Sequence, residues 1–313
     1  MNFAEVGVAA IQLDGPFGGR RNTTRGDEQS LYFNLRNPEA LRDNVRQGAV
    51  ELSILARTLD ILSFDAFAAG CPGVSPGRQR FDLGHLALFG HSSGAASAIL
   101  AAAIEPLFGA AVLSGSAGSY LEHLLWKKRP ANLQQATEKL LGYTATGRKL
   151  TSADPALSLL QWATESADPQ VYARGLSRAS LAGTPPPHLL LFQGIVDHYI
   201  LPPLLQSVAI PLAVDLAGPV LDQGAAELAG FSPLADALGL AGRGRVDLPA
   251  SGNQGEGAIT AVIVQHPEDG IDDGHEVVFQ SEAPKHQYRC FLQSWQSGVP
   301  QVAAAGALRD PCP

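Results

Sequence analysis

Cysteine is scarce in this 313-residue chain, which holds Cys71, Cys290 and Cys312 and no CxxC pair. That excludes a thiolate zinc site and a closed disulfide framework; one bridge with a spare thiol, or three idle thiols, is all that three cysteines allow. Long runs of positive charge are missing as well. The longest is Lys127-Lys128-Arg129, and 22 Lys+Arg against 30 Asp+Glu give a formal charge of −8. A field of that sign repels phosphate backbones, so no nucleic-acid partner is expected. No apolar stretch reaches the roughly 18 to 20 residues that span a bilayer, and no integral membrane segment is expected. The opening Met1-Asn2-Phe3-Ala4-Glu5 has neither a basic n-region nor a long apolar h-region. As written, the chain therefore reads as soluble and cytoplasmic; a leader further upstream would make it an exported protein.

What is present suits a packed core: 45 % hydrophobic residues, 17 % charged ones, and ample length. Residues 6–13 (VGVAAIQL) are short, apolar and closed by Asp14-Gly15-Pro16, the pattern of a strand buried on both faces. Residues 38–62 place Leu41, Val45, Leu52, Leu55, Leu59 and Leu62 at three-, four- and seven-residue steps, which predicts one amphipathic helix behind Pro38. A Gly/Pro-rich loop follows over 70–80, then a strand over 85–89, a small-residue helix over 94–104 and a strand over 110–113. Mixed helical segments over 119–187 read as an insertion. Residues 188–193 and 258–264 are the remaining predicted strands, separated by a Gly/Pro/Ala/Leu-rich stretch over 211–257. Alternating strands and helices predict an α/β fold over 1–313, with a mainly parallel sheet flanked by helices.

Gly90-His91-Ser92-Ser93-Gly94 has the form G-x-S-x-G and lies between a predicted strand and a predicted helix. A turn tight enough to push a serine hydroxyl out of a sheet strains that serine, and side chains at the flanking glycines are expected to collide with their neighbours. Ser92 is therefore the candidate nucleophile, and the Ser93 N–H, opening the helix, is the candidate oxyanion donor. A serine needs a base, and the base an orienting carboxylate. Asp197, just past the strand 188–193, is the candidate acid; a helix cap or turn former is its alternative role. His275, in the loop after the last strand, is the candidate base, with His266 and His286 as rivals. His91 and His198 read as substrate-lining or structural neighbours of the two turns.

The order Ser92, Asp197, His275 follows successive strands, and here the sequence resembles the α/β-hydrolase fold family. Gly90–Gly94 resembles its nucleophile elbow, Asp197 its acid after the seventh strand and His275 its loop after the eighth. The resemblance implies a helical cap over 119–187. It also implies two or three strands and a His-Gly-type oxyanion loop ahead of the segment at 6–14, and nothing in the chain matches them. By family order 6–13 takes the fourth-strand slot, so the chain reads as N-terminally truncated, beginning part-way into the fold. The reading favoured is that the gene starts upstream; the others are that 6–13 fills the third-strand slot, with residues 15–19 as a replacement oxyanion loop, or that catalysis is crippled.

Glu268, Asp269, Asp272 and Asp273 form an acidic cluster without EF-hand spacing, read as a solvated loop. Gly252–Gly257 precedes a strand instead of opening a helix, so it is not read as a phosphate loop. The expected activity is that of a serine hydrolase on carboxylic esters, an acyl or lipid-like small molecule being the substrate. No cofactor and no metal are required. A peptidase or amidase on the same triad, and a non-catalytic binding protein of the same fold, are the alternatives.

Overall fold

A run such as Leu189-Leu190-Leu191-Phe192 is stable in a strand only when both faces of its sheet are covered. The computed structural model describes residues 3–66, 77–177 and 184–313, and there this run lies inside a six-stranded sheet. Its strands are β1 (Leu86–His91), β2 (Phe108–Ser114), β3 (His188–Ile195), β4 (Asp215–Ala217), β5 (Arg245–Val246) and β6 (Ala261–Pro267). They lie in the order β1-β2-β3-β6-β4-β5, and every pairing is parallel. The architecture is α/β, with helices on both faces.

Successive side chains of a strand point to opposite faces. Leu189 and Leu191 accordingly join the core that also holds Val45, Ala49, Ile99, Leu204 and Val208, whereas Leu190 and Phe192 join Tyr288, Phe291 and Trp295 on the other face. The first core is roofed by helices Pro38–Ile61, Ser93–Ile104 and Pro202–Leu212, the second by helix Glu282–Trp295. Asn37 caps the long helix by accepting the Ala40 N–H at 3.2 Å, with Pro38 in the first turn. Leu41, Val45 and Leu59 are buried as its periodicity predicts, and Leu62 falls just past its end, exposed. Between β2 and β3 run helices Tyr120–Trp126, Leu133–Leu140, Pro155–Thr164 and Pro169–Ser177. Leu124, Leu125, Leu150 and Leu157 give this segment a small core of its own.

Several expectations are corrected. Residues 6–13 form no strand: a short turn, Phe3–Val6, leads into irregular chain with Ile11 and Leu13 exposed. An apolar run becomes a strand only where a partner is open to it, and this one pairs with none. Phe3 instead packs on Phe89, ring centroids 6.2 Å apart, and Gln296 Nε2 donates to the Val6 carbonyl at 2.8 Å. Among the described residues β1 is thus an edge of the sheet. Residues 77–80 of the predicted loop pair antiparallel with Ser63–Ala66; 70–76, including Cys71, lie outside the described residues. The stretch 211–257 contributes β4 and β5, and the strand predicted over 258–264 is Ala261–Pro267. Cys290 and Cys312 form a disulfide. No helix among the described residues is long and apolar enough to cross a membrane.

Phe192 is almost completely buried where β3 meets helix Glu282–Trp295. Replacing it with alanine removes a ring from a closed core and is expected to lower stability by about 3–5 kcal/mol, read by urea denaturation. A loss below about 1 kcal/mol would mean that this face of the sheet is not packed as described.

Candidate active site

Strand β1 delivers its chain into helix Ser93–Ile104 with one residue between them, Ser92, at φ 54° and ψ −121°. That left-handed conformation costs a non-glycine residue about 1–3 kcal/mol, so its surroundings must hold it. Part of the hold is visible: the Ser92 N–H donates to the Ser114 carbonyl of neighbouring β2 at 2.9 Å, and the Ser92 carbonyl accepts from Ala95 at 3.0 Å. Gly90 is required here, since a Cβ would stand 2.8 Å from both Ala95 Cα and Gly94 O. Gly94 is different. A Cβ there meets nothing within 4 Å, so the collision expected at this flank does not exist, and the approach to the turn is open. Ser92 is half-buried, and Ser93 and Gly94 are exposed. The Ser93 N–H is one of the first-turn amides that an α-helix leaves without internal partners.

Asp197 and His275 come together because their strands are neighbours. In the β3–β6 pairing Gly194 lies opposite His266 and Ile195 opposite Pro267, so both chains leave the sheet side by side. Beyond it the Glu268 N–H donates to Ile195 O and the Gly274 N–H to Val196 O, each at 3.0 Å. Asp197 Oδ1 accepts the N–H groups of Tyr199 (2.9 Å) and Ile200 (2.8 Å), which makes it the turn former its alternative role described. Its other oxygen, Oδ2, lies 2.9 Å from His275 Nδ1. Both side chains are buried.

The imidazole of His275 is held between rings: Tyr199 stacks on it with centroids 4.8 Å apart and planes 22° apart, and His91 lies 4.5 Å away. Gly115, at φ 56°, gives it floor space, because a Cβ there would stand 2.6 Å from His275 Cε1. His275 therefore sits against the residue before Ser92 and over the residue after Ser114, to which Ser92 is hydrogen-bonded. Among the described residues the Ser92 hydroxyl makes no hydrogen bond to the imidazole. Such contacts are often long in the absence of substrate and shorten in the complex.

The rivals lie elsewhere. His266 is inside β6, bonded through Nε2 to Gln287 at 2.8 Å, and burial lowers its pKa to about 4. His286 is buried on helix Glu282–Trp295 beside Cys290. His91 packs on His275 and Phe279, its pKa pushed down to about 3 by burial and by the neighbouring imidazole. His198 lies between two carboxylates: Nδ1 is 2.8 Å from Asp273 Oδ2, and Nε2 is 3.0 Å from Glu227 Oε2.

Asp273 is the residue that sequence reasoning missed. Its Oδ1 accepts the backbone N–H groups of both His198 (3.1 Å) and His275 (2.9 Å), tying the loop after β3 to the loop after β6. Arg129 approaches the other oxygen at 3.4 Å. The expected solvated acidic loop is thus half inward: Asp273 is buried, whereas Asp272 pairs with Gln280 at the surface. The available signal was its position two residues before a buried histidine, where an aspartate caps the turn. Within residues 15–19, two of the glycine amides proposed for an oxyanion loop are already engaged. The Gly18 N–H donates to Gly15 O at 3.0 Å, the Gly19 N–H to Glu28 Oε1 at 3.0 Å, and Pro16 packs toward Gly48. Among the described residues no group of three His, Cys, Asp or Glu side chains is gathered to hold a metal ion. No family model, curated protein or solved structure matches the chain.

Burial pulls the His198 pKa down, but hydrogen bonds to Glu227 and Asp273 outweigh it, and the pKa is raised above its usual 6.5. A raised pKa adds stability that is complete below the unfolded value and is lost as pH rises through the folded one. His198→Gln should therefore lose more stability against wild type at about pH 6 than at about pH 9. Equal losses at both values in urea titrations would show that the His198 charge does not tie the loops.

Proposed function

We propose that the chain is a serine hydrolase of α/β-hydrolase-like layout that cleaves carboxylic esters. The observation that carries this reading is the meeting, at one edge of a parallel sheet, of a strained serine between strand and helix and a buried Asp–His pair whose imidazole packs against that turn.

In this reading the helices between β2 and β3 form the cap. Ser92 Oγ attacks the ester carbonyl while His275 Nε2 takes the hydroxyl proton; Asp197 Oδ2 holds Nδ1–H and so leaves Nε2 free as the base. The developing oxyanion is met by the Ser93 N–H and the field of the helix behind it. The C–O bond to the alcohol breaks, the imidazolium returns its proton to the leaving oxygen, and an acyl-serine remains. Water, deprotonated by the same imidazole, then attacks the acyl carbon, releases the acid and restores Ser92. The second reading, a binding protein of the same layout, is favoured by one observation, the amides of Gly18 and Gly19 being already engaged.

A fluorophosphonate probe separates the two. Labelling of wild type and none of Ser92→Ala is the expected result, together with a loss of about 10³-fold or more in p-nitrophenyl butyrate turnover in His275→Ala. A wild-type protein that stays unlabelled under conditions in which a control hydrolase reacts supports the binding protein. Turnover retained in His275→Ala would remove the imidazole from the mechanism.

A further inference from the structure

The longest basic run of this acidic chain, Lys127-Lys128-Arg129, follows directly on helix Tyr120–Trp126. That helix is fixed at both ends. At its start the buried Asp168 accepts the N–H groups of Ser119 (2.8 Å) and Tyr120 (3.1 Å) and is itself held by Gln161 Nε2 at 2.8 Å. At its end Lys127 Nζ donates to the carbonyl of Tyr199 at 3.0 Å, and the Tyr199 ring is the one stacked on His275. The helix thus runs from the end of β2, next to the Ser92 turn, across to the Asp197 loop.

One face of this helix is polar. Tyr120, His123 and Lys127 stand at i, i+3 and i+7, which places them along one side. The Tyr120 and His123 rings lie 6.1 Å apart. Burial, and then Lys127, hold His123 neutral with a pKa of about 3, so Lys127 carries the positive charge among these three. At the end of β2 and at the Ser92 turn, the buried hydroxyls of Ser114 and Ser116 and Nδ1 of His91 have no hydrogen-bond partner among the described residues. Lys127 is largely withdrawn from water: burial lowers its pKa to about 8 against the pull of Asp197. Yet among the described residues it forms no ion pair, and one carbonyl uses one of its three donors. The carboxylate that acts on it, Asp197, is committed to Tyr199, Ile200 and His275, so the two remaining donors of a largely desolvated ammonium are left for an anion that enters beside it.

Resting on the hydrolase reading, we propose that the substrate is an ester whose acyl part ends in a carboxylate, a half-ester of a short dicarboxylic acid, with that carboxylate received by Lys127 while the ester carbonyl lies on Ser92. Lys127 is then a specificity-determining residue. A charge-assisted hydrogen bond of this kind corresponds to a preference of about 10- to 100-fold over a neutral acyl chain of equal length.

The test compares kcat/KM for the p-nitrophenyl half-ester of succinic acid with that for p-nitrophenyl butyrate. Wild type is expected to favour the half-ester about tenfold or more, the ratio to collapse in Lys127→Gln and Lys127→Met, and to persist in Lys149→Gln, which removes an exposed cation paired with Glu138. A wild type without the preference, or a variant that folds and keeps it, overturns the proposal. In parallel, Ser92→Ala is titrated calorimetrically with monomethyl and dimethyl succinate. Should the fluorophosphonate leave Ser92 unlabelled, the hydrolase reading falls and calorimetry decides: tighter binding of the monoester, abolished by adding Lys127→Gln, supports the anion site, and equal binding overturns it.

Discussion

The Asp197–His275 contact exists because two parallel strands that are far apart in sequence lie side by side and end together. The chain builds β3, moves outward to lay down β4 and β5, and returns to fill the vacant slot between β3 and β4 with β6. That return brings the loop carrying the imidazole onto the loop carrying the carboxylate. The approach is close enough that neither Gly194 nor Gly274 could carry a Cβ, each being packed on backbone of the other loop. Two backbone hydrogen bonds across the gap extend the ladder past the sheet. The side chains at the site inherit their positions from this backbone constraint.

Asp273 converts that proximity into rigidity. One carboxylate meets two backbone amides, the His198 ring and the Arg129 guanidinium, and these belong to the loop after β3, the loop after β6 and the segment following helix Tyr120–Trp126. Buried donors that share one acceptor are all left unmet together if it is removed, which is a larger loss than any one of the bonds. His198 adds a second carboxylate, Glu227, to the same knot. Loops are ordinarily the mobile part of an α/β protein, and here two of them are bolted to each other before any ligand is considered.

How much of this was legible in the sequence follows from which forces act locally. The turn at Ser92 was legible because its backbone conformation demands glycine at position 90 and places a strand before it and a helix after it. Asp197 and His275 were legible because each follows a strand, and parallel strands share one loop-bearing edge. The run at 6–13 misled for the converse reason: apolar character describes a residue's affinity for a core, and pairing depends on a partner that only the assembled sheet supplies. The strands Asp215–Ala217 and Arg245–Val246 are too short to carry a two-residue period. Asp273 and Lys127 were hard to see because charges usually face water: the turn-capping position of Asp273 does not say that it is buried, and nothing local says that Lys127 reaches the Tyr199 carbonyl.

Part of the molecule's strain and unmet polarity lies beside Ser92. Seven buried side-chain atoms lack a hydrogen-bond partner among the described residues, and three of them, on His91, Ser114 and Ser116, lie within three residues of one another or of Ser92. Ser92 itself is in a conformation that favours glycine, and Lys127 is a withdrawn charge that makes no direct ion pair among the described residues. Each of these lowers stability, and a sequence selected for stability alone would remove them with Ala, Gly or Leu. Three of these seven atoms fall at the Ser92 turn and the end of β2, and the other four lie on Asp222, Arg243, Tyr288 and Arg289, so part of that cost is borne at the end of the sheet where Ser92 and His275 meet.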